Sequence, residues 1–139
     1  MKKIFIYTLL GFLYVALSAT QCEDYEQVNL AIKNMSSDTV YVINASSKYV
    51  NSNMSYSTLR YNLKYAYKMP PHSACKAFVT KPEYSYGKTE VMAYRFYTSK
   101  TLNDFSLEEI VENDIYDKQY VVTYDDLRAL DFQLVYDEK

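Results

Sequence analysis

Cys22 stands in a sequence setting that indicates covalent lipid attachment. It follows two lysines near the start of the chain and an apolar run, Ile4–Leu17, and an acidic run, Glu23–Glu26, comes directly after it. A basic segment followed by an apolar run of this length has the form of an export signal. The run is shorter than the roughly 20 apolar residues of a transmembrane helix. We therefore predict a signal peptide over residues 1–21, lipid attachment at Cys22 and an acidic tether over residues 22–26.

Two alternatives at this cysteine remain open. Gln21 departs from the small residue that usually precedes a lipid-attachment cysteine, and an ordinary signal peptidase could cut after Ser18 or Ala19 instead. The product would be a soluble periplasmic or secreted protein. Cys22 could then form a disulfide with Cys75, because exported proteins meet an oxidising environment. If Cys22 is acylated, Cys75 is an unpaired thiol that packs as a small hydrophobic side chain.

Other residue types that serve in catalysis or metal binding are few. The one histidine, His72, lies beside two prolines in a predicted turn, where a metal site would lack further ligands. Four carboxylates near residue 112 lack the spacing and the turn glycine of a calcium loop, and we interpret them as a solvated helix face: Glu108, Glu112, Asp114 and Asp117. We predict no catalytic residue, no metal site and no cofactor.

Tyrosine is unusually abundant, with 17 residues, and tryptophan is absent. Rings in predicted loops are not explained by a packed core and could stack on sugars or anchor a protein partner. Four such tyrosines are candidate binding residues: Tyr49, Tyr56, Tyr84 and Tyr86.

The composition excludes several classes of function. The net charge of -2, without a basic block, argues against nucleic acid as a partner. Gly87 is the only glycine beyond the signal, so phosphate-binding loops, the Rossmann turn and the Gly-x-Ser-x-Gly nucleophile elbow are all excluded.

Alternating apolar and polar residues predict seven short strands. They are centred on residues 28–33, 39–43, 59–68, 74–80, 90–98, 118–123 and 132–136. The second, Thr39–Ile43, is apolar on both faces, which places it centrally in a sheet. In the third strand, leucines and tyrosines would face inward, and a basic stripe of Arg60, Lys64 and Lys68 would face solvent. Lysines along an exposed strand discourage edge-to-edge pairing.

Two capping signals predict short helices in the C-terminal third. Ser106 with Glu109 has the form of a capping box, and Thr123 precedes two acidic residues that suit the first turn of a helix. Leu127 and Leu130 would hold the second helix by packing. The predicted fold is a single domain over residues 27–139. It is mainly β, an antiparallel β-sandwich of about seven strands and immunoglobulin-like size, with two short helices.

Two stretches of the chain resemble a group of small uncharacterised lipoproteins of Bacteroidetes-type bacteria. One is the run from Leu102 to Tyr136, with its Phe-Ser-x-Glu-Glu-Ile and Thr-Tyr-Asp-Asp-Leu segments; the other is Asn34-x-Ser36-x-Asp38 with the Val-Tyr-Val that follows. Phe132 stands where such sequences are expected to carry tryptophan. The resemblance implies export and the fold but carries no activity.

The resemblance also implies a candidate O-glycosylation site at Thr39. Asp38-Thr39-Val40 is similar to the triplet that such bacteria O-glycosylate on exported proteins. We therefore treat Thr39 as a candidate modification site.

Together these features predict a lipoprotein of the bacterial outer membrane, held by lipid on Cys22, with a non-enzymatic binding or accessory domain. Its expected partners are the membrane, through that lipid, and a glycan or protein ligand. The alternative is a structural, assembly or immunity-type lipoprotein that binds one protein partner.

Overall fold

Seven strands and four short helices make up the part of the chain that the computed structural model describes, residues 27–45, 53–81 and 91–137. The mainly β class predicted from the sequence is confirmed. The strands are β1 (Gln27–Asn34), β2 (Val40–Ala45), β3 (Tyr67–Met69), β4 (Ser73–Thr80), β5 (Met92–Thr98), β6 (Lys118–Val122) and β7 (Gln133–Tyr136). The helices are α1 (Tyr56–Lys64), α2 (Ser99–Asp104), α3 (Leu107–Glu112) and α4 (Tyr124–Ala129).

The strands form two sheets, one of three strands in the order β4-β1-β7 and one of four in the order β3-β2-β5-β6. All neighbours are antiparallel except β1 and β7, which pair in parallel from Ala31 opposite Gln133 to Asn34 opposite Tyr136. The prediction of a wholly antiparallel arrangement is therefore wrong. Asp131 and Phe132, with φ of 53° and 51°, turn the chain after α4 so that β7 runs alongside β1.

Side chains from both sheets meet in one hydrophobic cluster. Leu30 and Ile32 of β1 and Val40 and Val42 of β2 are fully buried there, together with Phe96 of β5. The alternation predicted for β1 is confirmed at Leu30 and Ile32. Each such side chain contributes about 1.5–3 kcal/mol through burial, so this cluster is the main source of stability.

A second cluster covers the other face of the four-stranded sheet. Ile43 of β2 and Tyr97 of β5 pack there against Leu59 of α1 and Ile110 of α3. The predicted central position of β2 is confirmed, and its two apolar faces have a simple cause. One face meets the three-stranded sheet, and the other meets the helices.

The strand predicted over residues 59–68 is wrong, because Tyr56–Lys64 is helical and only Tyr67–Met69 is extended. Leu59 and Leu63 are four residues apart, so they lie on one face of a helix as well as on one face of a strand. Ser55 caps the helix by accepting a hydrogen bond from the N–H of Thr58. Arg60 and Lys64 therefore lie on α1, not on an exposed strand edge, and only Lys68 is in a strand.

Both predicted capping signals are confirmed. Ser106 and Glu109 form a complete capping box on α3, and Thr123 and Asp126 form another on α4. The described residues contain two more helices than predicted, α1 and α2. Leu127 is fully buried as expected, whereas Leu130 is 44% exposed because α4 ends just before it.

Candidate functional site

Helix α1 presents an aromatic surface on the side opposite its packed leucines. Tyr61 and Tyr65 are 65% and 63% exposed, and their ring centroids are 4.9 Å apart. The Lys64 ammonium nitrogen lies 5.5 Å from the centroid of the Tyr65 ring. Because Leu59 and Leu63 already hold the helix against the sheet, the core does not account for these rings.

This surface lies in a positively charged part of the sequence. From Thr39 to Pro82 the chain has six Lys and Arg residues and no Asp or Glu. Next to α1, the Lys68 ammonium nitrogen on β3 lies 5.7 Å from the centroid of the Tyr41 ring on β2. The tyrosines of α1 are thus flanked by cations, an arrangement that favours an anionic partner.

Helix α3 lies beside α1 and carries the opposite charge. The two helices share the second cluster, and the Asn53 side chain just before α1 donates to the Val111 and Glu112 carbonyl oxygens at 3.0 and 3.4 Å. Glu108 and Glu112 are exposed on the outward side of α3. We call the exposed side chains of the two helices the outer helix face: Arg60, Tyr61, Lys64, Tyr65, Glu108 and Glu112.

The charges of the outer helix face are not neutralised within the described part of the chain. The ion pairs found there join Arg95 to Asp114, Lys118 to Asp137 and Arg128 to Asp125, and none involves α1 or α3. The basic and acidic halves of the face are thus both available to a partner.

A polar depression of about 700 Å³ lies at the end of β5, where α2 begins. Its lining includes Asp38, Thr98, Ser99, Lys100, Asn103 and Asp117. Its two carboxylates make structural hydrogen bonds. Asp117 accepts from the Thr98 N–H at 2.6 Å and the Thr101 hydroxyl at 2.8 Å, and Asp38 accepts from the backbone N–H groups of Thr39 and Lys100 at 2.7 and 3.0 Å. Asp38 thus joins the start of α2 to the β1–β2 turn, and Asp117 joins it to the segment before β6.

Asn34, the first residue of the Asn-x-Ser-x-Asp motif, is the buried centre of that turn. Its side-chain amide nitrogen donates to the carbonyl oxygens of Asp38, Met69 and Pro70 at 2.8, 3.1 and 3.0 Å. Its amide oxygen accepts from the N–H and the hydroxyl of Ser36 at 3.0 and 2.7 Å. Asn34 is fully buried, so the motif joins the β1–β2 turn to the β3–β4 turn.

Arg95 of β5 is a buried cation on the helix side of the sheet. Its guanidinium donates to Asp114 Oδ1 at 2.8 Å and Gln119 Oε1 at 2.6 Å, and it lies 4.9 Å from the centroid of the Tyr116 ring. Burial raises the pKa of the nearby Tyr97 hydroxyl, and Arg95 opposes that rise. The group is fully engaged in the protein, as expected of a buried charge.

The predicted site residues are only partly within the described chain. Cys22, Tyr49, Tyr84 and Tyr86 lie outside it. Tyr56 is the first residue of α1 and is 39% exposed, so it belongs to a helix and not to a loop.

Two further candidates lie in described strands or turns. Thr39 is half-buried just before β2, and its carbonyl oxygen accepts from the Ser99 N–H at 2.8 Å. Cys75 of β4 has a free, half-buried thiol 3.5 Å from the Met69 sulfur, and burial raises its pKa.

The residues considered for metal binding are dispersed. His72 lies exposed in the β3–β4 turn with φ of 53°. Asp114 pairs with Arg95, and Asp117 accepts a hydrogen bond from the N–H of Thr98, the N-cap residue of α2. In residues 27–45, 53–81 and 91–137, no group of three His, Cys, Asp or Glu side chains is placed to hold a metal ion.

Sequence reasoning missed the exposed pair Tyr61 and Tyr65, because it assigned both rings to the inward face of a strand. The usable signal was Ser55, a good N-cap residue placed directly before a segment with leucines four apart.

No helix within the described residues is long and apolar enough to cross a membrane. No protein-family model, curated protein or solved structure matches the chain.

Proposed function

We propose that this protein is an exported lipoprotein of the bacterial outer membrane, anchored by acyl chains on Cys22, with a non-enzymatic domain that binds a protein partner. The order of basic, apolar and acidic segments around Cys22 supports the anchor. The cluster shared by the two sheets supports the finer assignment of the fold as a small β-sandwich of immunoglobulin-like size.

The observation that carries the binding function is the exposed tyrosine pair of α1. Tyrosine and arginine are enriched in protein interfaces, where a few aromatic side chains supply most of the affinity. Tyr61 of α1 and Tyr65, the C-cap residue of that helix, lie side by side. Leu59 and Leu63 pack the helix against the sheet beneath them, and Arg60 and Lys64 flank the two rings. Side chains this exposed suit a protein partner better than a small ligand, which is usually bound in a cleft.

The polar groups of the depression support a non-enzymatic domain. General acids and bases need a carboxylate or imidazole within reach of a substrate. Asp38 and Asp117 are instead occupied by backbone and hydroxyl donors that hold two elements together.

The anchor is tested with Cys22→Ala in the native host. We expect the wild-type protein to incorporate labelled fatty acid and to sediment with outer membranes, and Cys22→Ala to do neither. Cys75→Ala is the matched control and should behave as the wild type. A Cys22–Cys75 disulfide in the exported protein, found by mass analysis without reductant, would contradict the anchor and favour a soluble periplasmic or secreted protein.

The binding surface is tested by placing a photo-reactive amino acid at position 61 in intact cells. We expect one discrete cross-linked product. The same amino acid at Lys76, exposed on β4, is the control and should give none. Equal products from both positions, or none from position 61, would contradict a protein-binding role for α1.

A glycan ligand is the second class of partner, and Tyr56 of α1 is the one candidate stacking residue that the structure describes. Titration with host and plant glycans should give no calorimetric heat if the partner is a protein. Heat that disappears in Tyr56→Ala would favour the glycan.

A further inference from the structure

We propose that the partner of the outer helix face is a second copy of this chain, bound in a two-fold symmetric dimer. This inference rests on the proposed function, because it names the partner of the same surface. In such a dimer α1 of each copy packs against α3 of the other.

The charges of the outer helix face are complementary to those of a second copy. A two-fold interface uses the same patch on both subunits, so the patch must be complementary to itself. α1 carries Arg60 and Lys64 and no acidic residue, whereas α3 carries Glu108, Glu109 and Glu112 and no basic residue. Because the helices lie side by side, two-fold rotation brings the basic half of one face onto the acidic half of the other. A partner with acidic residues alone would pair with the cations of α1 but not with the carboxylates of α3.

Like charges repel each other within α3. Glu108 and Glu112 are four residues apart on one side of the helix, a spacing at which like charges destabilise it. No ion pair in the described part of the chain relieves this repulsion. The Arg60 and Lys64 side chains of a second copy would relieve it.

The size of the face sets the strength of the dimer. With a rise of about 1.5 Å per residue and about 10 Å between helix axes, the face measures roughly 14 by 20 Å. This is below the roughly 800 Å² per partner of a standard stable interface. The dimer is therefore weak in dilute solution, and attachment of both copies to one membrane favours it by raising their effective concentration.

The test uses two reversed variants of the full chain, solubilised in detergent and studied by analytical ultracentrifugation. The first is Arg60→Glu with Lys64→Glu, which makes both helices acidic. The second is Glu108→Lys with Glu112→Lys, which gives both helices exposed cations. Each variant alone should dimerise at least about tenfold more weakly than the wild type. An equimolar mixture should form a heterodimer close to wild-type strength. In that heterodimer both contacts between α1 of one chain and α3 of the other join an acidic helix to a basic one.

Two controls accompany the charge reversal. Lys76→Glu with Lys100→Glu changes the net charge by the same amount as Arg60→Glu with Lys64→Glu. Both residues lie outside the outer helix face, so this variant should leave the dimer unchanged. The wild-type dimer should weaken when the salt is raised from about 50 to about 500 mM, because exposed ion pairs are screened. Failure of the mixture to dimerise more strongly than either variant would overturn the inference.

Cross-linking from position 61 in cells keeps the test decisive even if a variant folds poorly. A product with the mass of two chains supports the dimer. A product containing another protein overturns the dimer but leaves the proposed binding function intact. No product at all contradicts both.

Discussion

Asn34→Ala is expected to be among the most damaging single substitutions in the domain. The asparagine is fully buried and makes five hydrogen bonds, of which three are wholly buried: those to the Met69 carbonyl oxygen and to the N–H and hydroxyl of Ser36. A buried hydrogen bond contributes about 1 kcal/mol net, and a partner left without one costs more. We therefore expect a loss of roughly 3 kcal/mol in the free energy of unfolding.

The loss can be measured by urea unfolding followed by circular dichroism. With a slope of about 1.5 kcal/mol per molar urea, the midpoint should fall by about 2 M. Asn29→Ala is the matched control, because Asn29 lies exposed on the same strand, and surface substitutions usually change stability by less than about 0.5 kcal/mol.

Asn34→Asp tests the donating amide nitrogen apart from the accepting amide oxygen. The aspartate can still accept from Ser36, but it faces the Asp38, Met69 and Pro70 carbonyl oxygens with a negative charge in place of a donor. It should be at least as destabilising as alanine. A midpoint for Asn34→Ala within about 0.5 M of the wild type would refute the view that this side chain holds the two turns together.

Three further predictions concern the buried cation, the buried tyrosine and the caps. Asp114→Ala should cost about 2 kcal/mol in urea unfolding, because it removes the 2.8 Å ion pair of the buried Arg95 guanidinium, whereas Arg95→Met should cost under about 1 kcal/mol; equal losses would contradict this. Burial raises the pKa of Tyr94 from 10.0 to about 12, so its contribution to stability is complete below pH 10 and is lost as the pH rises towards 12. The loss of stability between pH 10 and pH 12 should therefore be smaller in Tyr94→Phe than in the wild type. An unchanged dependence of stability on pH would count against a raised pKa of Tyr94. Ser106→Ala and Thr123→Ala should each lower stability by about 1 kcal/mol, measured against Thr80→Ala at the exposed end of β4; no difference from that control would rule out a capping role.

The sequence was most informative where the contacts are local or the pattern is unambiguous. Both capping boxes depend on residues three apart. The box of Ser106 with Glu109 forms as predicted, and the capping signal at Thr123 is confirmed as a second box with Asp126. The alternation of β1 is unambiguous because its two faces have different environments, one in the core and one towards solvent.

Helix α1 could not be assigned in this way. Leucines at 59 and 63 and tyrosines at 61 and 65 satisfy the period of a strand and of a helix equally well. Only the cluster beneath the leucines decides which face is buried, and that cluster is built from β2, β5 and α3.

The strand at residues 132–136 was predicted, but its parallel pairing with β1 and the burial of Arg95 were missed, because both depend on partners distant in the chain. A charged residue in an alternating strand is normally read as facing solvent, but helices cover that face of β5 and bury Arg95 to 2% exposure. The pairing of β7 with β1 joins residues about 100 positions apart, as the Lys33–Gln133 hydrogen bond shows. No local pattern specifies such a register.

The pairing of the first strand with the last has a consequence for biogenesis. If the chain is exported as proposed, with its amino end leading, β1 crosses the membrane early and β7 last. Until Gln133–Tyr136 has emerged, β1 has an open edge beyond β4, and exposed strand edges promote aggregation. Closing the sheet also needs contacts of high sequence separation, which form slowly. Translocation of the final residues would thus set the earliest moment at which the three-stranded sheet can be completed, and a chaperone that shields β1 until then would protect the incomplete domain.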